Sequence, residues 1–389
     1  MGKDVVPQLR FPQFDGKWNK TKLGDIASFS KGKNVSKDDV SDEGVNECIR
    51  YGELYTTYNE TISEVFSKTN LSIDESVISE ANDVIIPASG ETQLDIATAS
   101  CVLRGGIILG GDLNIIKTKN SGVFLSYYLN NKGKIDIARL SQGSSVIHLY
   151  ARQLSTLKIN FPSLPEQQKI AAFLTAVDDK ITQLTKKKAL LEQYKKGAMQ
   201  QLFSQEIRFK PALSVAEGDD NGQDYADWEI KELGKVLKIG SGRDYKHLSE
   251  GAIPVFGSGG VMTKVNEFLY DGESVGIGRK GTIDKPVFLT GKFWTVDTLF
   301  YTHSFRGVLP KFIFYVFNTI NWYSFNEASG VPSLSKRTID KIEVNIPCME
   351  EQTKIANFQS ALDAKIAQVD HQIEKTTAFK KGVLQRMFV

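Results

Sequence analysis

Two stretches of the chain carry apolar residues in a repeating pattern of seven. In the first, Ile170, Val177, Leu184, Leu191 and Ala198 hold one position of the repeat. Leu174, Ile181, Lys188, Lys195 and Leu202 hold the other. In the second, Ile355, Leu362, Val369, Thr376 and Val383 alternate with Gln359, Ile366, Ile373, Lys380 and Met387. This period predicts two helices of about 40 residues, each roughly 60 Å long, with a coiled-coil stripe interrupted by polar residues. Proline precedes each, and glutamate follows within the first turns, as a helix N-terminus prefers. The pairing set is Ile170, Leu174, Val177, Ile181 and Leu184 against Ile355, Leu362, Ile366, Val369 and Ile373.

The second stretch re-edits the first, 185 residues later. Aligned without a gap, Pro162 matches Pro347, Glu166 Glu351, Gln167 Gln352, Lys169 Lys354, Ile170 Ile355, Phe173 Phe358, Asp178 Asp363 and Lys180 Lys365. The register extends back through Arg152/Arg337 and is expected to reach Asp112/Asp297. Near the start of each block, WNKTKLGDIASFSKGK at Trp18 resembles WEIKELGKVLKIGSGR at Trp228, offset by 210. A repeat of this length decides the organisation of the whole chain. The expected domains are 1–160, a first recognition block; 161–205, a first spacer helix; 206–227, an acidic exposed linker; 228–345, a second block; and 346–389, a second helix. Chain order makes the helices run back along each other, antiparallel, with the blocks related by a pseudo-two-fold repeat.

Inside the blocks the pattern changes to short β-branched runs broken by glycine. IRYGELY, DVIIPAS, CVLRGGIIL, LNIIKT, SVGIG, KPVFLT and FWTVDTLFYTH read as strands. FLSYYLNNKGKIDIARL and LPKFIFYVFNTINWYSF read as one aromatic-rich helix each. The predicted fold class is therefore α+β: two mixed α/β domains and a pair of long antiparallel helices.

The chain's 389 residues carry 48 basic and 46 acidic side chains, a net charge of +2, which argues neither for nor against a nucleic-acid partner. Cys48, Cys101 and Cys348 are odd in number and widely spaced, so reduced thiols are expected rather than disulfides or a zinc site. No apolar run is long enough to span a membrane, and no signal-peptide core opens the chain; the expected location is cytoplasmic.

Catalytic motifs are missing from the sequence. No phosphate-binding loop, nucleophile elbow or zinc-protease spacing occurs. Gly276-Ile-Gly278-Arg-Lys-Gly281 spells GxGxxG, but a strand rather than a helix is predicted after it, so cofactor binding is not expected. No metal site is expected.

What the blocks offer instead is basic and polar residues on glycine-rich turns, suited to phosphates and base edges. In block one these are Lys31, Lys33, Lys37, Ser89, Thr92, Gln93, Ser144, Ser145, His148 and Arg152. In block two they are Arg243, Tyr245, Lys246, Ser258, Arg279, Lys280, Ser333, Ser335, Lys336 and Arg337.

The opening VPQLRFPQFDGKWNKTKLGDI, the GSSVIHL and SGVPSLS segments, and the P-x-x-x-EQ-x-KIA-x-F start of each helix together resemble the specificity subunits of type I restriction–modification systems. The resemblance covers essentially the whole chain. It implies a non-catalytic subunit whose two target-recognition domains each read one half of a split double-stranded DNA site, with the helix pair as spacer. It further implies two modification (methyltransferase) subunits using S-adenosylmethionine, restriction (translocase–nuclease) subunits using ATP and Mg, and no cofactor in this chain. A coiled-coil scaffold with two protein-binding modules is the alternative reading.

Overall fold

The computed structural model describes residues 6–143, 145–211 and 224–389. It divides into two compact units, 1–184 with 372–389 and 185–371. The two long helices, Leu164–Phe203 and Met349–Met387, each contribute to both units.

Each unit closes its block with a two-stranded antiparallel ribbon, Asn19–Lys22 with Lys158–Phe161 in the first and Glu229–Glu232 with Glu343–Ile346 in the second. The ribbon's second strand leads directly into a long helix. The first unit then has a five-stranded sheet in the order Ala27–Lys31, Leu113–Thr118, Val84–Pro87, Ser100–Val102, Thr61–Ile62. The second has Lys238–Ser241, Leu299–His303, Ser274–Gly278 and Val287–Leu289. Their first three strands match in order and antiparallel sense. The remainder differs. The first unit adds a three-stranded sheet around Asn46–Ile49, whereas the second adds a four-stranded sheet built on Glu250–Gly257 and Gly260–Val265.

The paired Glu-Gln of the repeat has a structural role in both units. Glu166 is buried and accepts a bidentate hydrogen bond from Arg10 (2.7 Å from both Nε and Nη2) and one from Trp18 Nε1 at 3.3 Å. Glu351 is likewise buried and accepts from Arg208 at 3.1 and 2.8 Å and from Trp228 Nε1 at 3.1 Å. Gln167 accepts from the Ser121 backbone and donates to the Pro162 carbonyl; Gln352 accepts from Leu309 and donates to Pro347. Buried charge and amide are thereby satisfied by partners that lock each helix start onto its own block.

The helices run antiparallel within each unit. In the second, Lys188 pairs with Asp370 at 2.5 Å and Lys195 with Asp363. In the first, Lys380 pairs with Asp178 at 2.8 Å, the repeat-equivalent of Lys195–Asp363. Tyr127 donates to Asp178 and Tyr315 to Asp363, so each of these carboxylates joins a block helix to the helix pair. Leu184, Leu362 and Val369 are buried, while Val177, Ile181, Ile366 and Ile373 are half-buried. Ile170 and Leu174 lie in the first unit's core beside Val383 and Met387, and Ile355 lies in the second unit's core. The first turns of each helix are therefore domain core as well as seam.

Three local expectations need correction. IRYGELY is not a strand: Asn46–Ile49 ends the strand, and Glu53–Thr56 is a short helix whose Glu53 carboxylate accepts from the Arg50 backbone. The first aromatic helix is two, Gly122–Asn131 and Lys134–Leu140, split at Gly133. The second stops at Thr319 and resumes as a 3-10 turn, Trp322–Phe325. The expected linker is tied down at both ends: Arg208 holds Glu351, and Tyr225 donates to Glu350 at 2.6 Å. Residues 212–223 lie outside the described residues.

Candidate nucleic-acid interface

In the first unit, strand Ser89–Gly90 pairs antiparallel with Ile147–His148, and His148 sits opposite Ser89. The Ala88 N–H donates to the Asp112 carbonyl at 2.7 Å, and the Leu149 N–H to the Ala88 carbonyl at 3.0 Å. Buried Asn114 donates to the Leu149 carbonyl, fixing the same crossing from below. These bonds frame an open cleft of about 850 Å³ lined by Lys31, Asp112, His148, Tyr150 and Arg152 among others. Lys31 lies 3.7 Å from Asp112 at the surface. The Tyr150 ring stacks on His148 (6.1 Å, 22°) and carries the Arg152 guanidinium 5.5 Å from its centroid. Tyr150 was not among the expected residues; the alternation His148-Leu-Tyr150, with Leu149 fully buried, was the available signal.

The other expected residues of this block fall elsewhere. Thr92 and Gln93 are exposed on the turn after Ser89–Gly90, where Thr92 bonds Asp95 at 2.6 Å. Lys33 donates to the Glu75 carbonyl, and Lys37 is exposed on a separate turn. Ser145 is exposed before the Ile147–His148 strand; Ser144 lies outside the described residues.

The second unit builds the same crossing from different side chains. Lys280 bridges Ser333, Arg279 N–H donates to the Thr298 carbonyl at 2.8 Å, and Leu334 N–H donates to the Arg279 carbonyl at 2.9 Å. The GxGxxG glycines serve this turn. A side chain on Gly278 would meet the Thr282 carbonyl oxygen at 1.9 Å, and Gly281 has φ +84°. The next regular element is strand Val287–Leu289, so no helix N-terminus is present to hold a pyrophosphate.

Arg279 and Lys280 are exposed, and Arg279 Nη1 donates to the Asp297 carbonyl at 3.3 Å. Tyr245, Lys246 and Ser258 line a neighbouring cleft with Asp297, and the Arg243 carbonyl is held by Trp294 Nε1. Lys336 reaches over the Phe300 ring at 6.0 Å, and Arg337 is exposed. Ser335 caps the helix Lys336–Asp340 by accepting from Thr338 N–H and also donates to Glu327. The backbone match corrects the expected register, since Asp112 corresponds to Thr298 rather than Asp297.

Most titration shifts in the two units accompany burial. Burial, then Asp178, pushes the Tyr127 hydroxyl well above its ordinary range; Tyr315 rises by burial, with Asp363 adding to it. Burial alone would lower Lys380, but Glu60 and Asp178 raise it. Burial, then Lys238 and Lys336, lowers His303. Among the described residues, no helix is long and apolar enough to cross a membrane.

The profile of the type I restriction modification DNA specificity domain matches residues 15–193 and again 225–376. The type I restriction enzyme MjaVIII specificity subunit of Methanocaldococcus jannaschii is 26% identical over 243 residues, 61% of this chain and 53% of that protein. The chain spans about half the length of the curated relatives it matches. The crystal structure of a type I restriction–modification S subunit from M. genitalium superposes with a TM-score of 0.69 at 17% identity, covering 99% of both chains. A structure from a study of complex assembly and conformational transition of the type I system superposes at 0.52 with 14% identity, covering 95% of this chain and 97% of that one. The two matched regions cover most of both units, Glu-Gln helix starts included, and the chain belongs to the type I restriction modification DNA specificity domain family.

Proposed function

We propose that this chain is the sequence-reading, non-catalytic subunit of a type I restriction–modification assembly. Each block binds one half of a bipartite double-stranded DNA site, and the helix pair sets the number of unread base pairs between them. Modification subunits that transfer a methyl group from S-adenosylmethionine, and restriction subunits driven by ATP with Mg, carry out the chemistry. The assembly works in the cytoplasm. The interface comprises the two turn crossings: Ser89, His148 and Arg152 with Lys31 in one unit, and Arg279, Lys280, Ser333 and Arg337 in the other. The domain boundaries follow the repeat, with recognition blocks at 1–160 and 228–345.

The observation that carries this reading is one backbone frame built twice with unlike side chains at its equivalent positions. A reader of two unlike half-sites requires that difference; the alternative, a coiled-coil scaffold with two protein-binding modules, is separated from it by the salt dependence of duplex binding. Basic side chains at both crossings supply phosphate contacts that set affinity.

The test is duplex-DNA binding by the full chain with its methyltransferase partner, across a salt series, alongside mapping of methylated adenines in cells carrying both. A split methylated sequence and an affinity that falls steeply with salt are expected. Methylation or cleavage by this chain alone, or affinity indifferent to salt, would refute the proposal.

A further inference from the structure

The two crossings can be superposed position by position through their hydrogen bonds. Ala88 N–H to Asp112 O in the first unit corresponds to Arg279 N–H to Thr298 O in the second. Leu149 N–H to Ala88 O corresponds to Leu334 N–H to Arg279 O. Ser89 opposite His148 corresponds to Lys280 opposite Ser333. The buried leucine is kept, Leu149 and Leu334, whereas Ala88 and Ser89 are buried and Arg279 and Lys280 exposed. Ala88 thus stands where the other unit has Arg279, and Ser89 where it has Lys280.

Arg279 is the largest chemical difference in this frame. Its backbone is fixed on both sides, by Thr298 and by Leu334. Its side chain is exposed, with one terminal nitrogen resting on the Asp297 carbonyl. That tether orients the guanidinium, and among the described residues most of its five donors have no protein partner. No carboxylate salt bridge to it occurs among the described residues. A guanidinium held this way presents a planar fork matched to the O6 and N7 acceptors of guanine in the major groove. Lys280, one residue on and paired to Ser333, is a point charge suited to the adjacent phosphate.

The geometry points to Arg279 as the guanine-reading residue of the second block, and to Ala88 as the reason the first block does not read guanine from the equivalent position. This rests on the blocks being DNA-binding, and names the base class that one of them selects.

The probe is a set of duplexes bearing the mapped target, in which each guanine of the two half-sites is replaced in turn by 7-deazaguanine, which lacks the N7 acceptor. They are titrated with the full chain in complex with its methyltransferase partner. One guanine, in the half-site read by the second block, should lose about 10- to 100-fold in affinity when substituted. Arg279→Ala should lose a similar factor on the unmodified target and become indifferent to that one substitution. Lys280→Ala should instead weaken all sequences alike and reduce the salt slope by about one.

If no guanine of that half-site is sensitive in the unaltered protein, the proposal is overturned. It is equally overturned if Arg279→Ala weakens every duplex alike and leaves the sensitivity in place. An unaltered complex that does not prefer its target over a scrambled duplex would overturn the DNA-reading function itself, a result distinct from either.

Discussion

Glu166 and Glu351 are nearly inaccessible, and each would be costly to ionise without a bidentate arginine. Arg10 and Arg208 satisfy them, and the carboxylate in turn raises the affinity of each guanidinium for its proton. Arg10→Ala leaves the buried carboxylate, among the described hydrogen bonds, with that from Trp18, so a loss of about 3 kcal/mol is expected in denaturant unfolding of the first unit. Arg208→Ala should do the same to the second unit, with the first little changed. Arg10→Lys, which lacks the fork, should recover only part of the loss.

His303 gives the pH-dependent counterpart. Its ordinary value is 6.5 and the folded value is lower, so the folded state favours the neutral ring. Stability from this group is full above the ordinary value and declines as pH falls through the folded one. Ring titration by NMR should show a midpoint below 6.5, and His303→Gln should flatten the acid side of the stability profile. A midpoint above 6.5 would mean that burial, with Lys238 and Lys336 beside it, does not disfavour the charged ring.

At the scale of elements, the seven-residue stripe and the Glu-Gln starts were legible because long helices repeat their environment many times. The breaks at Gly133 and after Thr319 were not legible, because a continuous apolar face hides where the backbone changes direction. The repeat also hides a difference. Leu174 sits in an apolar core, whereas its equivalent Gln359 is fully buried with no hydrogen-bond partner for either amide atom among the described residues. An unsatisfied buried amide costs about 1–3 kcal/mol. Gln359→Leu should therefore raise the unfolding midpoint of the second unit by an equivalent amount, measured by urea titration. A loss of stability instead would show that the amide has a partner the described contacts omit.

The candidate interface was legible in its residue types but not in its grouping. Ser89 and His148 are far apart in sequence and meet only because two short strands cross. Arg279 and Lys280 are legible as candidates by type, but the GxGxxG around them hides that their turn pairs with Ser333. Ser335 is legible by its type, but its helix-capping bond to Thr338 is not. Tyr150 was passed over because its role depends on flanking side chains stacking on it. Side-chain chemistry is local and readable; which turns face one another is set by strand register, which a single sequence does not print.

At the scale of the whole molecule, the chain combines one frame used twice with two unlike sets of side chains at the equivalent turns. The profile match in two regions and the duplicated helix starts belong to the constant part. The extra sheets and the exposed crossing residues belong to the variable part. In the proposed function each block reads its own half-site independently. The direct measurement is to replace residues 1–160 with the first block of another family member and map methylated adenines genome-wide in cells carrying the chimera and its partners. One half of the split site should change while the other half stays the same. A change in both halves, or in neither, would contradict independent reading.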